Sequence, residues 1–155
     1  MSSSDEEDFR RLAVQLRILE GTAETLQSRL NLVGAALTEL NVARMTLEGV
    51  EKEAPDAPLF VPIGGGSFIR AKLESVDKVI VGAGAGVSIE RSLGEAKQTV
   101  QNRIGELEKT RVSLQQQFVQ VVDRIQKDRE ELQGLQIRLS RGERGASVSE
   151  AEGRP

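Results

Sequence analysis

The chain has 155 residues, a formal net charge of −3, and no Cys, His, Trp or Tyr. Those absences exclude disulfides, thiolate nucleophiles, Cys/His zinc sites and every catalytic scheme that needs an imidazole. Hydrophobic residues make up 38% and charged residues 29%, with Phe the only aromatic type, a balance too lean for a large compact core and better suited to long helices with narrow apolar seams.

The amino-terminal stretch, residues 1–8, is polar and acidic, the opposite of a secretory signal. No run of 18 apolar residues occurs, so no membrane span is expected. Outside Asp5, Glu6, Glu7 and Asp8 the charges nearly balance without a basic block, so no nucleic-acid partner is expected. A soluble cytoplasmic protein is the expectation.

The first element predicted is a helix over 5–52. Positions stepping by three and four carry Phe9, Leu12, Leu16, Leu19, Ala23, Leu26, Leu30, Val33, Leu37, Leu40, Arg44 and Leu47. Only Arg44 interrupts this stripe, and a 3.5-residue period sustained that far marks a coiled-coil seam. The Ser and acidic residues at 2–8 suit the start of a helix.

Residues 53–91 differ in kind. Three of the four prolines, Pro55, Pro58 and Pro62, lie there, and glycine is frequent. Apolar and alternating runs predict four short strands: Phe60, Val61 and Ile63 in the first, Phe68 and Ile69 in the second, Val79, Ile80 and Val81 in the third, Val87 and Ile89 in the fourth. Gly64–Gly66 and the glycine-rich stretch 82–86 turn each pair into a hairpin. Isolated two-stranded hairpins are marginal in water, so these strands are expected to join strands of other chains.

A second helix is predicted over 92–140. Its stripe is Leu93, Lys97, Val100, Ile104, Leu107, Arg111, Leu114, Phe118, Val121, Ile125, Asp128, Leu132, Leu135 and Leu139, with Ser92 and Glu95 spaced as a capping box. Gly142 and Gly145 are expected to end it, leaving 141–155 as a disordered tail. Two stripes of similar length joined by about 40 residues point to an antiparallel intramolecular coiled coil. In that pairing Leu47 comes near Leu93, and Phe9, Leu12 and Leu16 meet Asp128, Leu132, Leu135 and Leu139 at the open end. Arg44 and Lys97 are expected to lie near each other, neutralised by Glu48 and Glu95.

The motifs admit bland and pointed readings. The run VIVGAGAG at 79–86 resembles a dinucleotide fingerprint, but Val87 occupies the last glycine position and no βαβ unit surrounds it. A hairpin turn needing positive φ explains the glycines. The abundant carboxylates fall on solvated helix faces rather than in a paired catalytic arrangement. No cofactor, metal or enzymatic activity is expected. At the coil's open end, ordinary seam packing is weighed against a role for Phe9, Leu12, Leu16, Leu132, Leu135 and Leu139 as a tip that presents apolar surface to a partner, because coil ends fray.

The segment PLFVPIGGGSFIRAKL at 58–73, followed by DKVIV at 77–81, a glycine turn and IERSLGEA at 89–96, resembles the α class of prefoldin subunits. The resemblance spans about residues 8–140. It implies an α+β fold: a long antiparallel coiled coil with two β-hairpins between the helices that join an oligomeric β-barrel body. It further implies two α and four β-type prefoldin subunits, and an ATP-independent holdase that binds unfolded polypeptides and passes them to a group II chaperonin. The competing expectation is a coiled-coil scaffold or tether without client binding.

Overall fold

The structure, a computed structural model, describes the backbone of residues 2–152 and the side chains of 3–145. In chain order it comprises α1 (Ser2–Glu51), β1 (Pro58–Gly64), β2 (Ser67–Lys72), β3 (Lys78–Gly84), β4 (Val87–Ser92) and α2 (Leu93–Glu152). Two units divide it: a hairpin unit of residues 33–110 and a terminal unit of 1–32 with 111–155.

In the hairpin unit the seam is centred on buried Leu37, Val100 and Ile104. Val33, Leu40, Ala43, Leu47 and Leu107 pack against them. The Lys97 ammonium pairs with the Glu51 carboxylate at 2.6 Å. That pair corrects the expected register, since it sets Glu51 level with Lys97 and so carries Leu47 past Leu93, toward the core of Leu37, Val100 and Ile104 that it packs against. The cause is an asymmetric connection. Residues 52–57 separate α1 from β1, whereas β4 passes directly into α2. The capping box forms as expected: the Glu95 N–H donates to Ser92 Oγ at 3.2 Å, and the Ser92 N–H donates to the Glu95 carboxylate at 3.3 Å. Glu95 is therefore engaged at the helix start, and Glu51 takes the role expected of it beside Lys97. Arg44 pairs with Glu48 at 3.6 Å as expected.

Each hairpin is a separate antiparallel two-stranded sheet, β1 with β2 and β3 with β4, and within the chain neither closes into a barrel. Their turns are matched. Gly64, Gly65 and Gly66 have φ of +99°, +57° and +73°, and Gly84, Ala85 and Gly86 have +95°, +51° and +76°. Ala85 thus adopts a left-handed conformation that the first hairpin assigns to glycine, a conformation disfavoured for a residue bearing Cβ. The hairpins are anchored at their bases. The Asp56 N–H donates to the Leu73 carbonyl at 2.8 Å, and the Leu93 N–H donates to the Asp77 carbonyl at 2.9 Å.

In the terminal unit α1 and α2 also run antiparallel, with Arg129 and Glu20 paired at 2.7 Å. Leu12, Leu26, Leu114, Ile125 and Leu135 are its buried apolar residues. The helix end expected at residue 140 is corrected, because α2 continues through Gly142 and Gly145 to Glu152. Glycine disfavours a helix by only about 1 kcal/mol relative to Ala, and Arg141, Glu143 and Arg144 around these glycines favour one. The remaining expected tail residues, 153–155, lie outside the described residues.

Candidate functional site

Two surfaces hold the residues singled out from the sequence. The first is formed by the hairpins. Strand alternation puts Phe60 and Phe68 on one face of the first hairpin and Val61 and Ile69 on the other, with Ile63 at the register shift before Gly64. Both faces are open: Phe60 is 67% exposed, and Val61, Ile63, Phe68 and Ile69 are exposed as well. The two Phe rings meet edge to face with centroids 6.4 Å apart. In the second hairpin Ile80 is 75% exposed, and Val87 and Ile89 are exposed too. Val79 and Val81 behave differently, being half-buried. They line a groove with Leu40, Ala43, Leu47 and Val100 of the helices. Arg103 closes this contact by donating to the Gly82 carbonyl at 2.6 Å. The second hairpin therefore uses one face inside its own chain and leaves Ile80 on the other.

Exposed apolar strands of this density, on sheets of two strands each, are unstable as a water-facing surface. Their edges carry unpaired backbone donors and acceptors. The arrangement is fit to accept further strands. It is not fit to cradle a phosphate, because the glycine turn after β3 leads into β4 rather than into a helix N-terminus.

The second surface is the terminal unit. Phe9, Leu16, Leu132 and Leu139 are half-buried in its seam, and Leu12 and Leu135 are buried, Leu135 to 3% exposure. The closed coil thus brings these six residues together but packs them against one another. What it offers outward is a set that the heptad stripe passes over: Val14, Ile18 and Ile137 beside these six, and Leu32, Val112, Val119 and Val122 elsewhere in the unit, all exposed. Their signal in the sequence is an apolar residue off the stripe where a solvated face calls for a polar one.

Asp128 is the one fully buried polar side chain among the described residues, at 1% exposure. Its Oδ1 accepts from Arg124 Nε at 2.8 Å, and its Oδ2 has no partner among the described residues. The Glu20–Arg129 pair puts it between Leu19 and Ala23 along α1, away from Phe9 and Leu12, which corrects its expected place at the open end. Among the described residues no group of three or more acidic side chains is arranged to hold a metal. No helix there is long and apolar enough to cross a membrane.

A family model described as "Prefoldin subunit" matches residues 19–138. Among curated relatives, the chain is 34% identical to prefoldin subunit alpha of Methanococcoides burtonii over 81% of this chain and 91% of that one. It is 34% identical to that of Methanopyrus kandleri over 73% and 72%, and 38% identical to that of Methanosarcina barkeri over 70% and 78%. The fold is similar to a chain of the cryo-EM structure of filamentous PFD from Methanocaldococcus jannaschii, with a TM-score of 0.63 at 24% identity, covering 74% of this chain and 95% of that one.

Proposed function

Because the chain belongs to the prefoldin family and is a chaperone subunit of that family, we propose that it is the α-type subunit of a cytoplasmic complex of two α and four β-type chains. This complex holds unfolded polypeptides without ATP and hands them to a group II chaperonin. The observation that carries the reading is the uncovered apolar surface of the two hairpins, Phe60, Ile63, Phe68, Ile69 and Ile80 above all. Strands of partner subunits complete those sheets and gather several coils on one body. Each coil then offers weak apolar contacts through Val14, Ile18 and Ile137 and through its seam residues when they are uncovered. Weak contacts held on one scaffold add up through effective concentration. They need no sequence in common among clients beyond exposed apolar side chains.

The test is a truncation. Removing residues 1–12 and 132–155 spares both hairpins and the core of Leu37, Val100 and Ile104. The complex with a β-type subunit is expected to keep its form, with a mass lowered only by the deleted residues. It is expected to lose suppression of aggregation of a chemically denatured client. Full protection by the truncated complex refutes the tip assignment.

A second reading, a scaffold whose coil serves only as a spacer, is favoured by the closed packing of Leu135 and Leu12. It predicts that the truncation changes nothing but the coil's length.

A further inference from the structure

We propose that the closed coil of the terminal unit carries a built-in opening point, the layer of Ala23 and Asp128, about which the end of the coil bearing Phe9, Leu12, Leu132 and Leu135 opens as one cooperative piece. The inference rests on the holdase reading only for its purpose, since the opening itself is a property of this chain.

The seam of α1 between Leu19 and Leu26 holds only Ala23, and the seam of α2 between Ile125 and Leu132 holds only Asp128. The Glu20–Arg129 pair sets these two stretches at the same level of the coil. In that register Asp128 lies between Leu19 and Ala23, so one of its two seam neighbours across the coil is only a methyl, whereas Ile125 and Leu132 each lie beside a Leu of α1. The layer also buries a carboxylate with one oxygen unpartnered. A buried polar group missing a partner costs free energy that it recovers when water reaches it. Opening the coil up to this layer hydrates Asp128, so the opening is favoured to reach that point. Continuing past it separates Ile125, Leu26 and Val121 with no such gain. Gly21 at the same level of α1, and Gly134 nearly two turns beyond the layer in α2, weaken the helices there further. The Glu20–Arg129 bridge across the layer is largely exposed and is a weak restraint. A closed coil whose apolar residues are packed away thereby gains an uncovered state without loss of its remaining length.

The experiment is hydrogen exchange read by mass spectrometry on the full chain assembled with a β-type subunit, without client. In the wild type, amides of residues 6–18 and 131–143 are expected to exchange as one block, at least tenfold faster than those of 24–32 and 114–126. Asp128→Leu, and separately Ala23→Leu from the other helix, fill the layer and are expected to slow that block at least tenfold. A gradual loss of protection toward the ends, with no step at the layer, overturns the proposal. So does a block whose rate neither variant changes. Client aggregation assays on the same variants test the holdase reading separately. Slowed exchange with undiminished protection leaves the opening standing and removes its role in client binding.

Discussion

Replacing Ile80 by Lys isolates the contribution of the hairpins to assembly. Ile80 is 75% exposed, and its cross-strand neighbour is Glu90, already bridged to Lys78 at 3.3 Å. Within one chain the change removes little packing and places a cation opposite a carboxylate, an arrangement that contributes a few tenths of a kcal/mol at most. The hairpin is therefore expected to survive, with unchanged circular dichroism. In the assembly the balance reverses. Full burial of an Ile side chain contributes about 1.5–3 kcal/mol, so covering three quarters of Ile80 contributes about 1–2 kcal/mol. The substitution forfeits that and leaves an ammonium to be desolvated, which adds several kcal/mol. A total on the order of 4 kcal/mol corresponds to about a thousandfold weaker association. Native mass spectrometry with a β-type partner over a dilution series reads this directly. A variant complex with the wild-type mass and the same dissociation midpoint would refute the claim that this strand face is covered by another subunit.

Four further outcomes are expected. Ala85→Gly, which gives the second turn the residue type of the first at φ near +50°, raises stability by about 1 kcal/mol, measured by denaturant titration of the assembled complex. Ser92→Ala removes the Oγ acceptor of the capping box and lowers stability by about 1 kcal/mol, while Ser92→Asp retains most of it in the same titration. Leu135→Ala, at a site only 3% exposed, lowers the protection of the terminal unit by an amount equivalent to about 2–3 kcal/mol, read by hydrogen exchange. Glu20→Gln breaks an exposed bridge to Arg129 and changes stability by less than about 1 kcal/mol, an effect that vanishes at 1 M salt.

Much of this fold is legible in the chain because its stripes are long and regular. Every position of both predicted seams is buried or half-buried except Arg111, and the hairpins, the turn glycines and the capping box follow from local chemistry. The register does not follow from it. Periodicity says which residues face the seam but not which face each other, and the offset is set by the residues between α1 and β1, which carry no periodic signal. The apolar residues off the stripe, Val14, Ile18 and Ile137, are hard to weigh for a related reason. A single exposed aliphatic side chain is common on any surface, and only the closed seam beside them shows that they are the apolar surface presented next to the six seam residues.

The four polar seam residues make the same point about side-chain length. Period alone treats Arg44, Lys97, Arg111 and Asp128 alike. In the folded chain the three cations carry their charge outward along flexible aliphatic stems: Arg44 toward Glu48, Lys97 toward Glu51, and Arg111 onto the exposed surface. Aspartate has a single methylene and cannot reach water from a seam position. It stays at 1% exposure, and Arg124 must come to it from the preceding turn, satisfying one oxygen and leaving the other unpartnered. A seam tolerates long cations with little disturbance, whereas a short anion there concentrates its cost at one level. The opposing stretch of α1 offers Leu19 and Ala23, neither of which can partner the carboxylate. The weakness of the coil is thus confined to one layer between well-packed neighbours, and the residues proposed to meet clients lie beyond it.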